Sequence, residues 1–376
     1  MGFDIHILGT SSARPTGSRQ VSGSLVVCDD GVAIVDAGEG FQSRFAIQRK
    51  RLKQFGEYQI KVGRVDVLCL THGHLDHTWG VLPWLHTLAL DKRDKPLLII
   101  GPTSGGVLDS LLSDSKLPDD VPNSDLIIQL RSWHQLGGTT KHLGFPVRWV
   151  LGDVENDRWV ELLPDSESVL ELDKMPQPQG WSANKIRALQ TNHTIPSCAW
   201  HFISKGKKGK FNRLRAAELK LTENQRAGLA RGEDQSLEDG KVLLADEFRG
   251  PDSSAISVVL SGDTSEMSKG ITSLEMCNVL VHESTFLEEW KGHAVKFLHS
   301  TASGAARTAI SSGTKHLVLT HFGARIKSTE ELLSQAQEQL SDSPISLSAA
   351  SDGDRIQVSK SGKSTHYYWS EQGWSN

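Results

Sequence analysis

Thr71-His72-Gly73-His74-Leu75-Asp76-His77 follows directly after the apolar run Val65 to Leu70 and holds four strong metal-binding side chains within six residues. If that run is a strand, His72 and His74 lie two apart and point to the same face, because strand side chains alternate. Asp76 and His77 follow where the chain must turn, and they can face a second ion near the first. Imidazole and carboxylate ligands with open positions suit hydrolysis by an activated water. The stretch therefore predicts a metal site that holds two ions.

Two ions with four or five ligands each need seven or eight protein ligands, so others must come from elsewhere in the chain. Three candidates follow predicted strands, namely His193, Asp263 and His321. Asp263 could bridge both ions through its two oxygens. Each residue alone is more often a turn cap or a packed side chain than a ligand. Together they are informative, since all lie at the same end of predicted strands as the first motif.

Composition limits the classes of function. The chain has 376 residues, 38% hydrophobic and 23% charged, which is ordinary for a globular protein. Its net charge of −4 means that a nucleic-acid partner must be held by a local basic patch. The four cysteines form no C-x-x-C pair and indicate reduced thiols in the cytoplasm. No secretory signal is apparent, and the apolar stretches are too short to cross a bilayer, so no membrane partner is expected.

Short apolar runs alternate with helical patterns along both halves of the chain, which predicts sheets with helices packed outside. Pro83 is expected to be the first residue of a helix. Residues 117 to 184 are interpreted as an irregular insertion. Residues 204 to 250 begin with a lysine-rich run, continue as a charged helical pattern, and are expected to project from the body. The strand and helix predictions are as follows: strands at 3–8, 24–27, 32–35, 65–70, 97–100, 186–189, 199–203, 256–260, 279–281 and 317–319, and helices at 40–55, 83–90, 300–311 and 328–340.

Several motifs, spread in order over residues 5 to 326, resemble one known family. His72 to His77 resembles the signature of the metallo-β-lactamase fold. The other motifs resemble one branch of that fold, the ribonuclease Z family of tRNA 3′-processing endonucleases. They are Leu8 to Thr16 with Arg19 and Ser22, Val35 to Gly40, Val281 to Phe286, His299 to Ala302, and Thr320 to Arg325. The resemblance implies a single α/β domain over residues 1–376, an αβ/βα four-layer sandwich with a projecting basic arm.

The resemblance also implies roles for the candidate residues. One ion, expected to be Zn²⁺ with Mn²⁺ or Fe²⁺ as alternatives, would be held by His72, His74, His193 and Asp263. A second would be held by Asp76, His77, Asp263 and His321. A hydroxide between them would attack the scissile phosphorus, with Asp76 as its base or orienter.

The acid side of the reaction is implied by two further motifs. Glu283 would hold His299, and His299 would protonate the departing 3′-oxygen. Read without the resemblance, His299 is simply a residue at the start of a helix. Asp36 would orient metal ligands without binding a metal itself.

Substrate binding is expected at the start of the projecting segment, where six basic residues are concentrated: Lys205, Lys207, Lys208, Lys210, Arg213 and Arg215. Contacts to RNA phosphates need such clusters, although a lysine run is commonly just a solvated loop. In the family, an arm at this position grips the tRNA, often across a homodimer. This chain departs from the family at the arm's tip, where Thr222 to Gly228 replaces a Gly-Pro element, and in its longer 117–184 segment.

The sequence therefore predicts a metal-dependent endoribonuclease that removes the 3′ trailer of precursor tRNA and leaves a tRNA 3′-hydroxyl. Two alternatives remain open. One is a di-zinc hydrolase of the same fold that acts on a small ester such as a cyclic nucleotide. The other is an inactive RNA-binding scaffold that retains the fold.

Overall fold

Two β-sheets face each other in the computed structural model, which describes residues 2–166, 168–206, 209–237, 239–250 and 254–376. The first sheet has the strand order β19-β18-β17-β1-β2-β3-β4-β5-β6-β7-β8, and the second has the order β16-β15-β14-β13-β10-β9. A short ribbon pairs β11 with β12. The strands are β1 Phe3–Gly9, β2 Gly23–Val27, β3 Val32–Ala37, β4 Val65–Cys69, β5 Leu97–Pro102, β6 Val147–Asp153, β7 Arg158–Leu163, β8 Ser168–Leu172, β9 Asn184–Gln190, β10 Cys198–Ser204, β11 Gln235–Ser236, β12 Val242–Leu243, β13 Ile256–Leu260, β14 Val279–Glu283, β15 His316–Thr320, β16 Ser346–Ala349, β17 Arg355–Val358, β18 Ser364–Ser370 and β19 Gly373–Ser375.

Helices cover the outer face of each sheet. They are α1 Phe41–Gln54, α2 Leu75–Thr78, α3 Val81–Leu90, α4 Gly105–Leu112, α5 Leu126–Gln135, α6 Thr140–Leu143, α7 Arg213–Glu218, α8 Glu223–Arg231, α9 Lys269–Thr272, α10 Lys291–Phe297, α11 Ala302–Ser311 and α12 Glu330–Gln339, with short 3-10 helices at Val62–Arg64, Ala245–Phe248 and Glu288–Trp290. None of these helices combines the length and the apolar character needed to cross a bilayer. The start of α11 shows why the sequence folds as it does. The Thr301 side chain accepts a hydrogen bond from the Gly304 backbone N–H, and a row of alanines then faces the second sheet.

The hydrophobic core is divided into layers by the sheets. Phe3, Ile5 and Val258 belong to the layer between the two sheets. A second layer lies between the first sheet and helices that include α1, α3 and α5, and a third lies between the second sheet and α9, α11 and α12. This arrangement is the predicted αβ/βα four-layer sandwich, so the fold prediction is confirmed.

The central strands are parallel, and this positions the site. β3, β4 and β5 run parallel in the first sheet, and β13, β14, β15 and β16 run parallel in the second. Such strands are buried on both faces, which explains continuous apolar runs such as Ile256 to Leu260. Because carboxyl ends of parallel strands meet at one edge, the loops that follow β4, β13 and β15 lie together.

Three parts of the sequence-based organisation need correction. The segment 117–184 is not irregular, because β6, β7 and β8 in it extend the first sheet and bury Trp149 and Trp159. Its turn-forming residues lie in the connections between the helices and strands of this segment. The strands β16 to β19 were not predicted, although β17 pairs directly with β1. Pro83 is the third residue of α3, not the first. It is tolerated there because the N–H groups of the first turn have no partner inside the helix.

The segment between β10 and β13 forms a module with its own small core. Leu221, Leu229 and Phe248 belong to that core, which is separate from the three main layers. α7 and α8 pack there against the 3-10 helix Ala245–Phe248. Since Ser204 and Ile256 are paired residues of neighbouring antiparallel strands, the module leaves and rejoins the sheet at one point. We call residues 205–255 the arm.

Candidate metal centre

The histidine-rich motif lies in the loop after β4 and in the short helix α2. His72 Nε2 and His74 Nδ1 are 3.0 Å apart, so the two imidazoles do converge. The reason is not strand alternation, because β4 ends at Cys69 and His74 is the residue that precedes α2. The loop turns His74 back so that its Nδ1 meets the Nε2 of His72.

Four side chains form a first cluster of potential ligand atoms, and they are His72, His74, His193 and Asp263. His193 Nε2 lies 3.2 Å from His74 Nδ1. The Oδ2 atom of Asp263 lies 3.7 Å from His72 Nε2 and 3.9 Å from His193 Nε2. His193 reaches this point from the β9–β10 connection, and Asp263 reaches it from the loop after β13.

A second cluster adjoins the first and consists of Asp76, His77 and His321. His77 Nε2 and His321 Nε2 are 3.3 Å apart, and each lies 3.6 Å from Asp76 Oδ2. Asp263 Oδ1 lies 3.2 Å from both of these histidine nitrogens. The two oxygens of Asp263 therefore face different clusters, and all seven residues predicted as ligands come together.

The spacing of these atoms fits metal ions. Two ligand atoms that each stand about 2.1 Å from one tetrahedral ion are about 3.4 Å apart, close to the separations in both clusters. Asp263 Oδ1 is buried and has no hydrogen-bond partner among the described residues, although it faces two imidazole nitrogens. A buried carboxylate oxygen without a partner is costly, and a cation between it and the imidazoles would satisfy it.

The electrostatics of the site also favour cations. Burial lowers the pKa of His74 to about 4, so that its ring is neutral and offers a lone pair. Burial opposes ionisation of Asp76, but His77 and His321 lower its pKa to about 2. Burial would lower the pKa of His77, yet Asp263, Asp76 and Asp36 raise it well above the ordinary value. The carboxylates thus create a negative field that a bound cation would neutralise.

Several groups outside the clusters hold the imidazoles in place. Asp36 Oδ2 is 2.7 Å from His77 Nδ1, and both oxygens of Asp36 accept hydrogen bonds from Thr71. His193 Nδ1 is 3.0 Å from the carbonyl oxygen of Leu298. His321 Nδ1 is 3.0 Å from Thr285 Oγ1. Each of these bonds leaves the other ring nitrogen facing the clusters.

Asp36 and His321 also share an uncommon backbone conformation. Both have φ of +58°, in the left-handed region that side-chain-bearing residues seldom occupy. Such strain persists only where the surroundings enforce it. At both positions the side chain is aimed at the His/Asp clusters.

Glu283 and His299 form a pair at the edge of the clusters. His299 Nδ1 lies 2.7 Å from Glu283 Oε1, and the Glu283 carboxylate also accepts bonds from Thr264 N and Thr285 Oγ1. Burial alone would lower the pKa of His299, but Glu283 and then Asp263 raise it to about 9. The imidazole is therefore protonated near neutral pH, and its Nε2 remains available to a substrate.

The arm, which carries the basic residues predicted to bind RNA, begins at some distance from this site. β10 begins at the site and is seven residues long, so the arm starts roughly 20 Å away. Lys205 Nζ donates to the Ser182 carbonyl, and Arg215 pairs with Glu247. The side chains of Lys210 and Arg213 have no ion-pair partner among the described residues. Lys207 and Lys208 lie outside those residues.

Two backbone groups that orient side chains of the clusters were not predicted from the sequence. The backbone N–H of Ala13 donates to Asp76 Oδ2 at 2.7 Å, and the Leu298 carbonyl fixes His193. Neither could be found from residue type, because both act through the main chain. Thr285 lies inside a motif that resembles the family and Thr71 directly precedes another, so their hydroxyls could have been predicted on that ground.

Comparison with known proteins agrees with this geometry. The family model of the metallo-β-lactamase superfamily matches residues 16–93. The metallo-β-lactamase fold protein YhfI from Bacillus subtilis superposes with a TM-score of 0.56 at 15% identity, covering 94% of this chain and 99% of that one. Human tRNase Z, short form, superposes with a TM-score of 0.51 at 21% identity, covering 95% of this chain and 99% of that one. The match to the model of this superfamily, together with the His/Asp clusters, indicates a site for divalent metal ions.

Sequence relatives extend over almost the whole chain. Ribonuclease Z of Myxococcus xanthus is 29% identical over 334 residues, which is 88% of this chain and 91% of the relative. Ribonuclease Z of Borreliella burgdorferi is 28% identical over 367 residues, which is 96% of this chain and 98% of the relative. With its fold, its buried His/Asp clusters and its similarity over most of the chain to these relatives, the chain resembles the ribonuclease Z family of the metallo-β-lactamase superfamily.

Proposed function

We propose that this chain is a metal-dependent endoribonuclease that removes the 3′ trailer from precursor tRNA and leaves a 3′-hydroxyl on the tRNA. The observation that carries the proposal is the convergence of seven buried or half-buried His and Asp side chains beside the hydrogen-bonded pair of His299 and Glu283. Full-length similarity to proteins named ribonuclease Z supports the choice of RNA over other esters.

We assign two Zn²⁺ ions per subunit to the two clusters, and Mn²⁺ or Fe²⁺ would suit the same ligands. His72, His74, His193 and Asp263 would hold one ion, and Asp76, His77, Asp263 and His321 would hold the other. When bound, such ions supply Lewis acidity and neutralise the negative charge that develops on a phosphodiester in the transition state.

Side chains of the protein itself would transfer the protons in this reaction. Because its pKa is raised to about 9, His299 would carry a proton on each ring nitrogen, and the Nδ1 proton would be directed at Glu283, 2.7 Å away. The proton on Nε2 is free to pass to the departing 3′-oxygen, which is a poor leaving group unless it is protonated. Glu283 keeps the ring in this orientation and stabilises its positive charge.

Asp76 has a second role on the opposite side of the reaction. Its Oδ2 is fixed by the Ala13 N–H at 2.7 Å and faces His77 and His321. A carboxylate held in this way can orient the attacking water and accept its proton. Asp36 supports the same cluster indirectly, because it sets the orientation of His77.

The arm would bind the RNA substrate through six basic residues, namely Lys205, Lys207, Lys208, Lys210, Arg213 and Arg215. Its root is roughly 20 Å from the metal clusters along β10. An RNA that touches both must therefore be longer than a dinucleotide, which fits a tRNA. A homodimer would allow the arm of one subunit to serve the site of the other. The four cysteines are all buried free thiols, in keeping with an enzyme of the cytoplasm.

The test is cleavage of a precursor tRNA labelled at its 5′ end, followed by mapping of both new ends. We expect one cut at the 3′ side of the acceptor stem, with a 3′-hydroxyl on the tRNA and a 5′-phosphate on the trailer. Loss of cleavage after chelation and its return with Zn²⁺ would tie the activity to the clusters. Hydrolysis of bis-p-nitrophenyl phosphate without cleavage of precursor tRNA would instead point to a small-ester hydrolase. Absence of both activities in metal-loaded protein would point to a scaffold.

A further inference from the structure

An aromatic pocket opens directly beside the Asp76–His321 half of the metal centre. It has a volume of about 590 Å³, and Phe286, Trp290, His293 and Phe297 form much of its lining. Thr285 lines it as well, and Thr285 Oγ1 lies 3.0 Å from His321 Nδ1. The pocket is therefore one residue away from the reacting centre.

Its aromatic rings remain open to solvent, which is unusual for large apolar side chains. Trp290 is 38% exposed and Phe297 is 44% exposed. His293 lies between them, with ring centroids 4.9 Å from Trp290 and 6.4 Å from Phe297. Exposed aromatic clusters of this kind mark binding surfaces.

Positive charge surrounds the rings. Arg14 and Arg325 line the pocket and are exposed, and the Arg325 guanidinium carbon lies 4.9 Å from the centre of the Trp290 ring. Aromatic rings that stack bases, together with arginines that meet phosphates, are the recurring composition of sites for single-stranded nucleic acid. A purely apolar partner would not need the two arginines.

We propose that this pocket holds an unpaired nucleobase of the RNA trailer, within two nucleotides of the cleaved bond. The inference rests on the proposed function and specifies which part of the substrate the pocket recognises. The trailer side is favoured because it supplies a run of single-stranded nucleotides, whereas the tRNA side soon leads into a double-stranded stem, which a pocket of this size cannot admit.

The pocket wall is connected to the catalytic pair. Phe286 to Leu298 makes up most of the segment that separates Glu283 from His299 in the chain. The Phe286 ring centroid lies 6.0 Å from that of His299, and the Leu298 carbonyl fixes His193. A base that packs in the pocket would thereby help to position His299 for proton transfer, so its loss should affect kcat as well as KM.

The test combines protein variants with RNA lacking single bases. Wild-type protein and the variants Trp290→Ala and Phe297→Ala would be compared on precursor tRNA with an abasic nucleotide at the first or second trailer position. A third RNA would carry the abasic nucleotide at the last tRNA position. Trp290→Phe retains a stacking ring, and Leu90→Ala removes an exposed leucine on α3 as a matched control. Thermal unfolding would verify that each variant folds.

We expect the wild-type kcat/KM to fall roughly tenfold when a trailer base is missing, the usual value of one base stack. Trp290→Ala should lose about as much on the intact RNA and nothing further on the abasic RNA, whereas Trp290→Phe should stay near wild type. If the alanine variants respond to the abasic trailer as fully as the wild type does, or if only the tRNA-side base matters, the pocket assignment is overturned. If wild-type protein does not cleave precursor tRNA at all, the proposed function fails and this inference fails with it.

A second observation concerns the 117–184 segment, which contacts the histidine motif directly. The amide of Gln129, on α5, donates from Nε2 to the Gly73 carbonyl between His72 and His74. Its Oε1 accepts from Thr78 Oγ1 at 2.7 Å. Gln129 thus contacts both Gly73 and Thr78, which lie at the two ends of the loop that contains His74, Asp76 and His77. The Gln129 side chain is buried.

The contact is close and rigid. A Cβ atom at Gly73 would come within 1.8 Å of the Ser124 carbonyl oxygen, so only glycine permits this approach. The start of α5 is itself fixed, because Asp125 accepts hydrogen bonds from the Ile127 N–H and from Thr103 Oγ1, each at 3.0 Å. The loop therefore rests on an anchored helix end.

We infer that Gln129 is a positioning residue for the metal ligands His72 and His74. The inference is tested by Gln129→Leu, which has nearly the same volume but makes neither bond. Gln135→Leu, on an exposed position of the same helix, is the matched control. Metal affinity would be measured by competition with a chromophoric chelator, and folding by thermal unfolding of the chelated protein.

Gln129→Leu should weaken binding of the ion held by the His72 cluster by roughly tenfold, the usual effect of losing a partner in the outer shell of a metal site. The ion of the Asp76 cluster should be affected less. Thr78→Val, which removes the other half of the contact, should weaken the same ion in a milder way and covers the case in which the leucine variant does not fold. Equal affinity of both ions in Gln129→Leu, Thr78→Val and Gln135→Leu would contradict the inference.

Discussion

The two ends of this sandwich are built in different ways. At one end, the loops that follow parallel strands bring His and Asp side chains into a buried cluster whose atoms are fixed to within hydrogen-bonding distances. At the other end, the arm leaves the second sheet with a small core of its own and exposed basic residues. Metal binding at one end needs geometry to fractions of an ångström, whereas the proposed role of the other end needs only charge within reach of a phosphate backbone.

Under the proposed function, the end with the His/Asp clusters carries out the chemistry and the arm binds the substrate. A change at the metal end should abolish hydrolysis of any phosphodiester, whereas a change in the arm should matter only for a substrate long enough to reach it. Variants at each end can therefore test whether the two functions are separate. They are given in order of decreasing expected effect.

Asp263→Asn should have the strongest effect. It removes the charge of the one carboxylate that faces both clusters, so we expect loss of bound metal and a fall in kcat of about a thousandfold or more on every substrate. Metal analysis by mass spectrometry and hydrolysis of bis-p-nitrophenyl phosphate would measure both. Asp246→Asn, in the arm, is the control. An Asp263→Asn protein with full metal content and full activity would contradict the bridging role.

Glu283→Gln should have an effect that depends on the leaving group. Without the carboxylate, His299 loses both its orientation and its raised pKa, and cleavage of precursor tRNA should fall about 10² to 10⁴-fold. Bis-p-nitrophenyl phosphate should suffer much less, because p-nitrophenolate leaves without a proton. A similar loss on both substrates would show that Glu283 supports the cluster as a whole and not proton transfer.

Charge reversal in the arm should weaken only the long substrate. Replacing Lys207, Lys208 and Lys210 with Glu should lower the affinity for precursor tRNA about tenfold or more. Its dependence on salt should flatten as well, by about one unit of the log–log slope for each phosphate that the arm no longer neutralises. Filter binding at several salt concentrations would measure this. Reversal of three exposed lysines elsewhere, Lys50, Lys53 and Lys61, is the control. Unchanged tRNA affinity would exclude the arm as an anchor.

The smallest effect concerns acid stability, away from both ends. Burial lowers the pKa of His6 to about 4, although Asp4 opposes this. The folded state thus holds His6 neutral, so its contribution is complete above the unfolded pKa near 6.5 and declines as the pH falls towards 4. At pH 5.5 the chelated wild-type protein should lose about 1 kcal/mol of unfolding free energy through this group. His6→Gln should reduce that loss in urea titrations, and an identical pH dependence would argue against a neutral His6.

The sequence was most informative where chemistry requires particular side chains. Motifs fixed the seven clustered residues and the Glu283–His299 pair, because ligands and acids must be specific residue types. The central strands were also predictable, since burial on both faces demands continuous apolar runs.

The remaining features depend on contacts between distant parts of the chain. β6 and β7 were not predicted as strands because their buried tryptophans lie among turn-forming residues in the sequence. The convergence of His72 and His74 comes from a loop conformation, which residue type does not encode. Gln129 and the Leu298 carbonyl act on ligands from elements far away in sequence, and no local pattern marks them.

We expect the buried carboxylate of Asp263 to join two metal sites. Anomalous diffraction from crystals of the Zn²⁺-loaded protein, collected on both sides of the zinc edge, tests it most directly. We expect two anomalous peaks per subunit, with one oxygen of Asp263 directed at each. A single peak, or peaks out of reach of His193 and His321, would contradict it.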